Sequence, residues 1–376
     1  MSSHRATAMQ GIANLLPRLD DPDPDIRFMQ LNDLAAILNG PGSESLRNDS
    51  HAAARVIDRL VKALTDSNGE VQNQALKCAG PLALRTPNDY IAPYLDKITE
   101  LTAQDIDISV PITALRIIVG ALPRPSPSSV ERDVKEAFSG ISRVLIPRLV
   151  GYVPVPVDKK SPDLSPGLLQ QQKDKTYSAD AVDVVIEIMR CYGTLLRVEE
   201  LTALGSALMA VTGDQKANGV VKKRALAGMS AIVPFYKPPQ LTELVDFIAK
   251  QLQNSAISTS HRRYLVSTVG ALARSIPSRI GSHLNLLAPL VLSVLSQDEL
   301  DASREGSDDD MEVDVEVEEL REATLVTVDT LLSSCSQEMQ SHWEAAIQSA
   351  LRYIKYDPNV LDAEDDQEMS GTQDAQ

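Results

Sequence analysis

Residues 21–38 read DPDPDIRFMQLNDLAAIL, and how that stretch is taken decides the rest. Two prolines sit between acids, followed by an unbroken run that threads Arg27, Asn32 and Asp33 among Ile26, Phe28, Met29 and Leu31. Pro24 suits the first position of a helix, where a missing amide costs nothing, and Asp23 before it can cap. The prolines therefore start a helix rather than break one. Just upstream, Ile12, Leu15, Leu16 and Leu19 recur at helical spacing, so the two segments are expected to pair antiparallel. Within the second helix, Ile26, Met29, Leu34 and Ile37 are expected to pack on the paired helix and on the next repeat.

The layout returns along the chain. HAAARVIDRLVKALTD (51–66) gives a first helix and DSNGEVQNQALKCAGPLA (66–83) a turn and a second. YIAPYLDKITELTA (90–103) and VPITALRIIVGAL (110–122) repeat the pair. The first apolar positions of successive second helices are Ile26, Val71 and Val110, spaced 45 and 39 residues; Val182 and Val221 are again 39 apart. Such spacings belong to HEAT and armadillo arrays. The expected fold is an all-α HEAT-repeat solenoid over residues 1–356, with about seven helix pairs and a final helix ending at Tyr356. Each pair is unable to bury its apolar face alone and so stacks on its neighbours. Two segments interrupt the rhythm: 151–178, rich in Pro, Lys and Gln, reads as a long exposed loop, and 298–319 as an acidic loop insertion. Residues 357–376 read as a disordered acidic tail.

The 376 residues are 43% hydrophobic but only 4% aromatic, a balance that suits packed helices built from Leu, Ile, Val and Ala. A formal net charge of -16 argues against a nucleic-acid backbone as partner, since that contact needs clustered Lys and Arg. A basic protein surface is the more natural match. Cys78, Cys191 and Cys335 are odd in number and far apart, which suggests neither a disulfide framework nor a metal site; Cys78 and Cys191 read as small core residues. No apolar run reaches the roughly 18 residues of a membrane span, and the first residues show no charged-then-apolar signal pattern. A soluble protein of the cell interior is expected, with no membrane partner.

Chemistry has little to stand on. His4, His51, His261, His283 and His342 fall in different repeats, with no pair at the spacing of a metal-binding helix. The nucleophile-elbow and phosphate-loop motifs do not occur. No enzyme, cofactor or metal is expected. Lys222–Arg224 reads as part of a ladder of basic residues on a second helix rather than a targeting signal, and Trp343 as an anchor of the last helix on the preceding pair. The acidic insertion reads as a solvated loop; a mimic of an acidic partner, or a kinase site at Ser307, would be its functional alternatives.

Particular residues then carry a family resemblance. DIRFMQLNDL, NGEVQNQALKCAGPL, the RIGSHLNLLAPLV run from Arg279, and RYIKYDPN at 352–359 resemble, in order and spacing, the amino-terminal part of the cullin-associated and neddylation-dissociated (Cand, or TBP-interacting) proteins. The likeness covers nearly the whole chain and is weakest between about residues 125 and 215. It implies a non-enzymatic regulator of cullin-RING ubiquitin ligases, found in nucleus and cytoplasm. Such proteins wrap an unneddylated cullin with its RING protein; the amino-terminal arch covers the lysine that accepts Nedd8, and the carboxy-terminal arch competes at the adaptor site to promote receptor exchange. The chain departs from the family pattern just past YDPN, which makes it either an excised fragment or a natural half; the expectation is a natural half whose adaptor-competing partner is a separate carboxy-terminal Cand polypeptide. The candidate protein-binding residues are Arg27, Phe28, Asn32, Asp33, Asn68, Glu70, Gln72 and Asn73; for Asp33 and Asn73, repeat-to-repeat hydrogen bonding is the equal alternative. A karyopherin-like HEAT transport receptor, or a general scaffold, is the rival reading, and it would require a small GTPase and Lys-rich cargo.

Overall fold

The computed structural model describes residues 2–103, 107–151, 167–170, 177–295 and 311–355. All regular structure among them is helical. The helices divide between two compact units, Met1–Lys237 and Pro238–Gln376. In the first unit, α1 (Ser2–Leu15) pairs with α2 (Pro24–Asn39), α3 (Ser50–Ala63) with α4 (Gly69–Arg85), and α5 (Ile91–Leu101) with α6 (Ser109–Ala121). Next, α7 (Glu131–Gly140) runs through a π-turn, Ile141–Leu145, into α8 (Ile146–Val150) and pairs with α9 (Ala179–Tyr192); α10 (Val198–Gly213) pairs with α11 (Gly219–Ile232). The second unit holds α12 (Pro238–Leu252) with α13 (Thr259–Ser275), the short α14 (Pro277–Ile280), α15 (Leu284–Ser293) with α16 (Met311–Ser334), and α17 (Trp343–Lys355). Seven pairs and a last helix match the periodicity of the sequence.

Five of the pairs are shaped at their hairpins by the same device. Asp21, Asp66, Asp107, Asp214 and Asn254 each accept, through a side-chain oxygen, the amide two residues on, at 2.8 to 3.0 Å. These are Asx turns, in which a short side chain stands in for a backbone carbonyl. A cap then starts the second helix: Asp23 accepts from the Asp25 amide, Asn68 from Glu70 and Val71, Asn218 from Val221, and Ser258 from His261. Pro24 sits directly after its cap, as the opening stretch requires.

With the hairpins fixed, the second helices stack: α2 on α4, α4 on α6, α6 on α9 and α9 on α11 in the first unit, and α13 on α16 in the second. Leu31, Leu34 and Leu38 of α2 are fully buried, each contributing about 1.5–3 kcal/mol by area. Met29, expected in this core, is instead 60% exposed. The stripe at 31, 34 and 38 already fills the packed side of the helix, and position 29 falls off it. Ile26 and Ile37 are half-buried.

Three further expectations are corrected. The segment 151–178 is not wholly an exposed loop: Leu168 and Leu169 are buried, and their amides donate to the carbonyls of Arg148 and Leu149 at 3.1 and 3.0 Å. Gly151 permits this return, because its φ is 78° and a Cβ there would lie 2.7 Å from the Gly167 nitrogen. The acidic insertion is helical from Met311 onward: its last residues extend a helix whose core, Leu320, Val328 and Leu331, is buried, with Glu319 paired to Arg263 on α13. Trp343 is 45% exposed and is no anchor. Residues 298–310, the tail 357–376 and most of the 151–178 segment lie outside the described residues.

Charged side chains bridge successive repeats. Asp183 of α9 takes Arg224 of α11 at 2.5 Å and Arg116 of α6 at 3.7 Å, which places Arg224, the last residue of the basic run, in the expected ladder. Lys97 of α5 meets Asp58 of α3 at 2.6 Å. The most enclosed of these pairs is Arg27–Asp66, two parallel bonds of 2.7 Å between side chains only 14% and 11% exposed. Burial pushes the Asp66 carboxyl up, but the Arg27 guanidinium and the Asn68 amide outweigh it and hold the group below its ordinary 3.8. The contribution is therefore complete above pH 3.8 and is lost as pH falls through the lowered value. We expect Arg27→Ala to cost about 2 kcal/mol at neutral pH, with the gap from the parent closing in strong acid. Urea unfolding at both pH values checks this, and an equal gap in acid would show that Asp66 is not the group involved.

Candidate protein-binding surface

The eight residues singled out in the sequence lie on α2, α4 and the hairpin before α4, and the structure divides them. Arg27, Asn68 and Gln72 converge on the Asp66 turn. Arg27 binds the Asp66 carboxylate and also donates to the carbonyls of Asp21 and Pro22 at 2.7 and 3.0 Å. Gln72 donates from Nε2 to the Asp66 carbonyl at 2.8 Å, while Asn68 caps α4. Arg27 ties the turn to the preceding pair, while Asn68 and Gln72 fix it from within its own pair. Asn32 is exposed but accepts from Gln74 Nε2 at 3.4 Å, and Phe28 is half-buried.

Asp33, Glu70 and Asn73 are different: all three are exposed, on the sides of α2 and α4 away from the buried stripes. Glu70, Asn73, Lys77 and Leu84 are exposed at intervals of three, four and seven residues, one continuous line along α4. On α2 the corresponding line is Met29, Asn32, Asp33 and Ala36. Two neighbouring second helices thus present acids, amides and two exposed apolar side chains, Met29 and Leu84. That mixture suits a protein partner. Met29 was missed in the sequence because its apolar type placed it in the core; its offset from the Leu31, Leu34, Leu38 spacing was the available signal. A second exposed line, Trp343, Ile347 and Leu351, recurs every four residues along α17, and the same spacing in the sequence announces it.

The remaining perturbed groups read as structure. All three cysteines are free and buried, and burial pushes the Cys78 thiol up to about 12, leaving it a thiol that donates to the Leu31 carbonyl at 3.3 Å. Burial raises the Glu200 carboxyl, yet the Arg197 side chain, Ser142 and the Arg197 amide together keep it ionised below its ordinary range. It closes the start of α10, accepting the Arg197 amide and guanidinium at 2.9 Å each. Among the described residues no group of three or more His, Cys, Asp or Glu is placed to hold a metal ion, and no helix is long and apolar enough to cross a membrane.

A family model described as the Cullin-associated NEDD8-dissociated protein 1 N-terminal part matches residues 90–303. In Emericella nidulans, the protein named as that N-terminal part is 44% identical over 301 residues, 80% of this chain and 88% of the relative. A separate Emericella protein, named as the C-terminal part, is 57% identical over 74 residues, 20% of this chain and 7% of its own length. The Drosophila melanogaster Cullin-associated NEDD8-dissociated protein 1 is 25% identical over 380 residues and matches the whole chain. The chain spans about a quarter of that fly protein, 26% of its length. Among solved structures, the karyopherin Kap121p bound to Nup53p superposes with a TM-score of 0.53 at 13% identity, over 92% of this chain and 31% of Kap121p. That likeness is one of fold.

The division between engaged and free side chains is measurable. Asn68→Ala should cost about 1 kcal/mol through the lost cap, whereas Asp33→Lys, Glu70→Lys and Asn73→Lys should each stay within about 0.5 kcal/mol of the parent. Thermal unfolding of the four variants reads this out, and a large loss at Asp33 or Asn73 would move that residue into the structural ladder.

Proposed function

The chain belongs to the cullin-associated NEDD8-dissociated protein family, in its N-terminal part, and on that premise we propose that it is a non-enzymatic regulator of cullin-RING ubiquitin ligases. In this reading it binds an unneddylated cullin with its RING protein and hinders NEDD8 attachment by covering the acceptor. With a carboxy-terminal companion half, it promotes exchange of substrate receptors. The observation that carries the proposal is the 44% identity to the Emericella N-terminal part over four fifths of the chain. A companion half is supported by that relative, whose C-terminal part bears a separate name.

The geometry supplies the means. A stack of second helices offers an extended surface across which affinity is distributed. The net charge of -16 favours a basic partner surface and a fast, salt-sensitive encounter. Asp33, Glu70, Asn73, Met29 and Leu84 are among the exposed residues that could make such contacts in the first two pairs.

Size-exclusion chromatography with light scattering, on this chain mixed with an unmodified cullin-RING core, tests the reading. The expected result is co-elution in the presence of a carboxy-terminal half, and slower NEDD8 transfer to the cullin in the same mixture. Asp33→Lys with Glu70→Lys should weaken the complex by about tenfold, a cost of the order of one or two rim contacts. Absence of co-elution with and without the companion half would overturn the proposal.

A further inference from the structure

The helix pair α15/α16 is joined across residue 303, where the family match stops. Four fifths of the chain match a relative named as the N-terminal part, and one fifth matches a different polypeptide named as the C-terminal part. The fly relative covers both stretches in a single protein. The two matched lengths, 301 and 74 residues, together nearly fill the 376 of this chain, and with the family match stopping at residue 303 they are consistent with a family division between α15 and α16. A helix pair cannot bury its apolar side without both members, so a division there would separate α16 from the surface it packs on.

That surface is well defined. Helix α16 packs along α13 and also meets α15. Its buried side carries Leu320, Thr324, Thr327, Val328 and Leu331, at spacings of a single helical face. Two of these positions are threonines, which pack like small β-branched residues while their hydroxyls are satisfied. Thr324 donates to its own helix at the Leu320 carbonyl, 2.7 Å away. Thr327 instead reaches across to the Val266 carbonyl of α13 at 3.2 Å. Arg274 of α13 donates to the Thr330 hydroxyl at 3.1 Å, and Arg263 pairs with Glu319. At the crossing point, Gly270 lets the helices close in: a Cβ there would stand 3.0 Å from the Thr327 hydroxyl oxygen.

We propose that the α13/α15 surface is a docking site for an α16-type helix borne on a separate polypeptide, and that in this chain α16 fills the site from within the same molecule. The partner it fits is a helix with Leu, Thr, Thr and Leu along one face and an acid just before the first Leu. Apolar burial supplies the affinity, while the three cross-helix polar contacts set the register. Loss of the covalent link removes only the local concentration it provided.

The test begins with the intact, folded chain. A protease recognition sequence is inserted between Ser303 and Arg304 and cleaved after folding, and the product is sized at low micromolar concentration. The two fragments are expected to elute together at the mass of the uncut chain. In the same background, Gly270→Val should leave the uncut chain helical by circular dichroism but weaken the cut assembly by about tenfold or more, because overpacking at the crossing point falls on the seam. Separation of the parent fragments would overturn the proposal, as would a cut Gly270→Val assembly that holds as tightly as the parent. The inference rests on family membership, and the assay contains no cullin, so its failure and that of the cullin reading are observed separately.

Discussion

A helix that begins immediately after a tight hairpin has backbone amides with no carbonyl behind them. In five hairpins of this chain, a single Asp or Asn side chain supplies an acceptor for the amide two residues ahead, and in four of them a side-chain cap follows where the second helix starts. Because each turn is defined by its own residues, both helices of a pair enter their neighbours in a fixed register. Within each of the two units, stacking of second helix on second helix then buries an apolar seam that no pair could bury alone. The rest of the architecture, including which side chains remain available to a partner, follows from that local arrangement.

The same short polar residue types are asked to do two jobs. Arg27, Asn68 and Gln72 are consumed in fixing the Asp66 turn and tying it to the preceding repeat, whereas Asp33, Glu70 and Asn73 are left facing outward. A polar residue in an array of this kind is therefore functional only if the turn does not need it. Charged ladders such as Arg116–Asp183–Arg224 belong to the first class, which is why a basic run on a second helix is a poor guide to what the surface binds.

Much of this was written in the local sequence. Asp23 before Pro24, Asn68 after Asp66, and the roughly forty-residue return of the pattern identify caps, turns and pairs, because each depends on residues within a few positions. The failures share one cause, which is that burial is decided by partners distant in the chain. Met29 looks like core by type, yet α4 packs on the Leu31, Leu34, Leu38 side. The acidic residues after Met311 look like loop, yet Arg263, more than fifty positions earlier, pairs with Glu319, and Arg321 pairs with Glu318 one turn back. Leu168 and Leu169 lie in a Pro- and Lys-rich stretch but return to the end of α8. Arg27 could be nominated for a contact but not assigned one, since Asp66 lies 39 residues on.

Trp343, exposed at the head of α17, is the only tryptophan among the 376 residues. Light near 295 nm, which tyrosine scarcely absorbs, therefore addresses one indole at one known place. With the second of the two units as its setting, its emission reports the solvent around that helix without label or substitution. The protein carries, in effect, an optical probe at the face where Ile347 and Leu351 continue the same exposed line, and the nine tyrosines elsewhere stay dark to it.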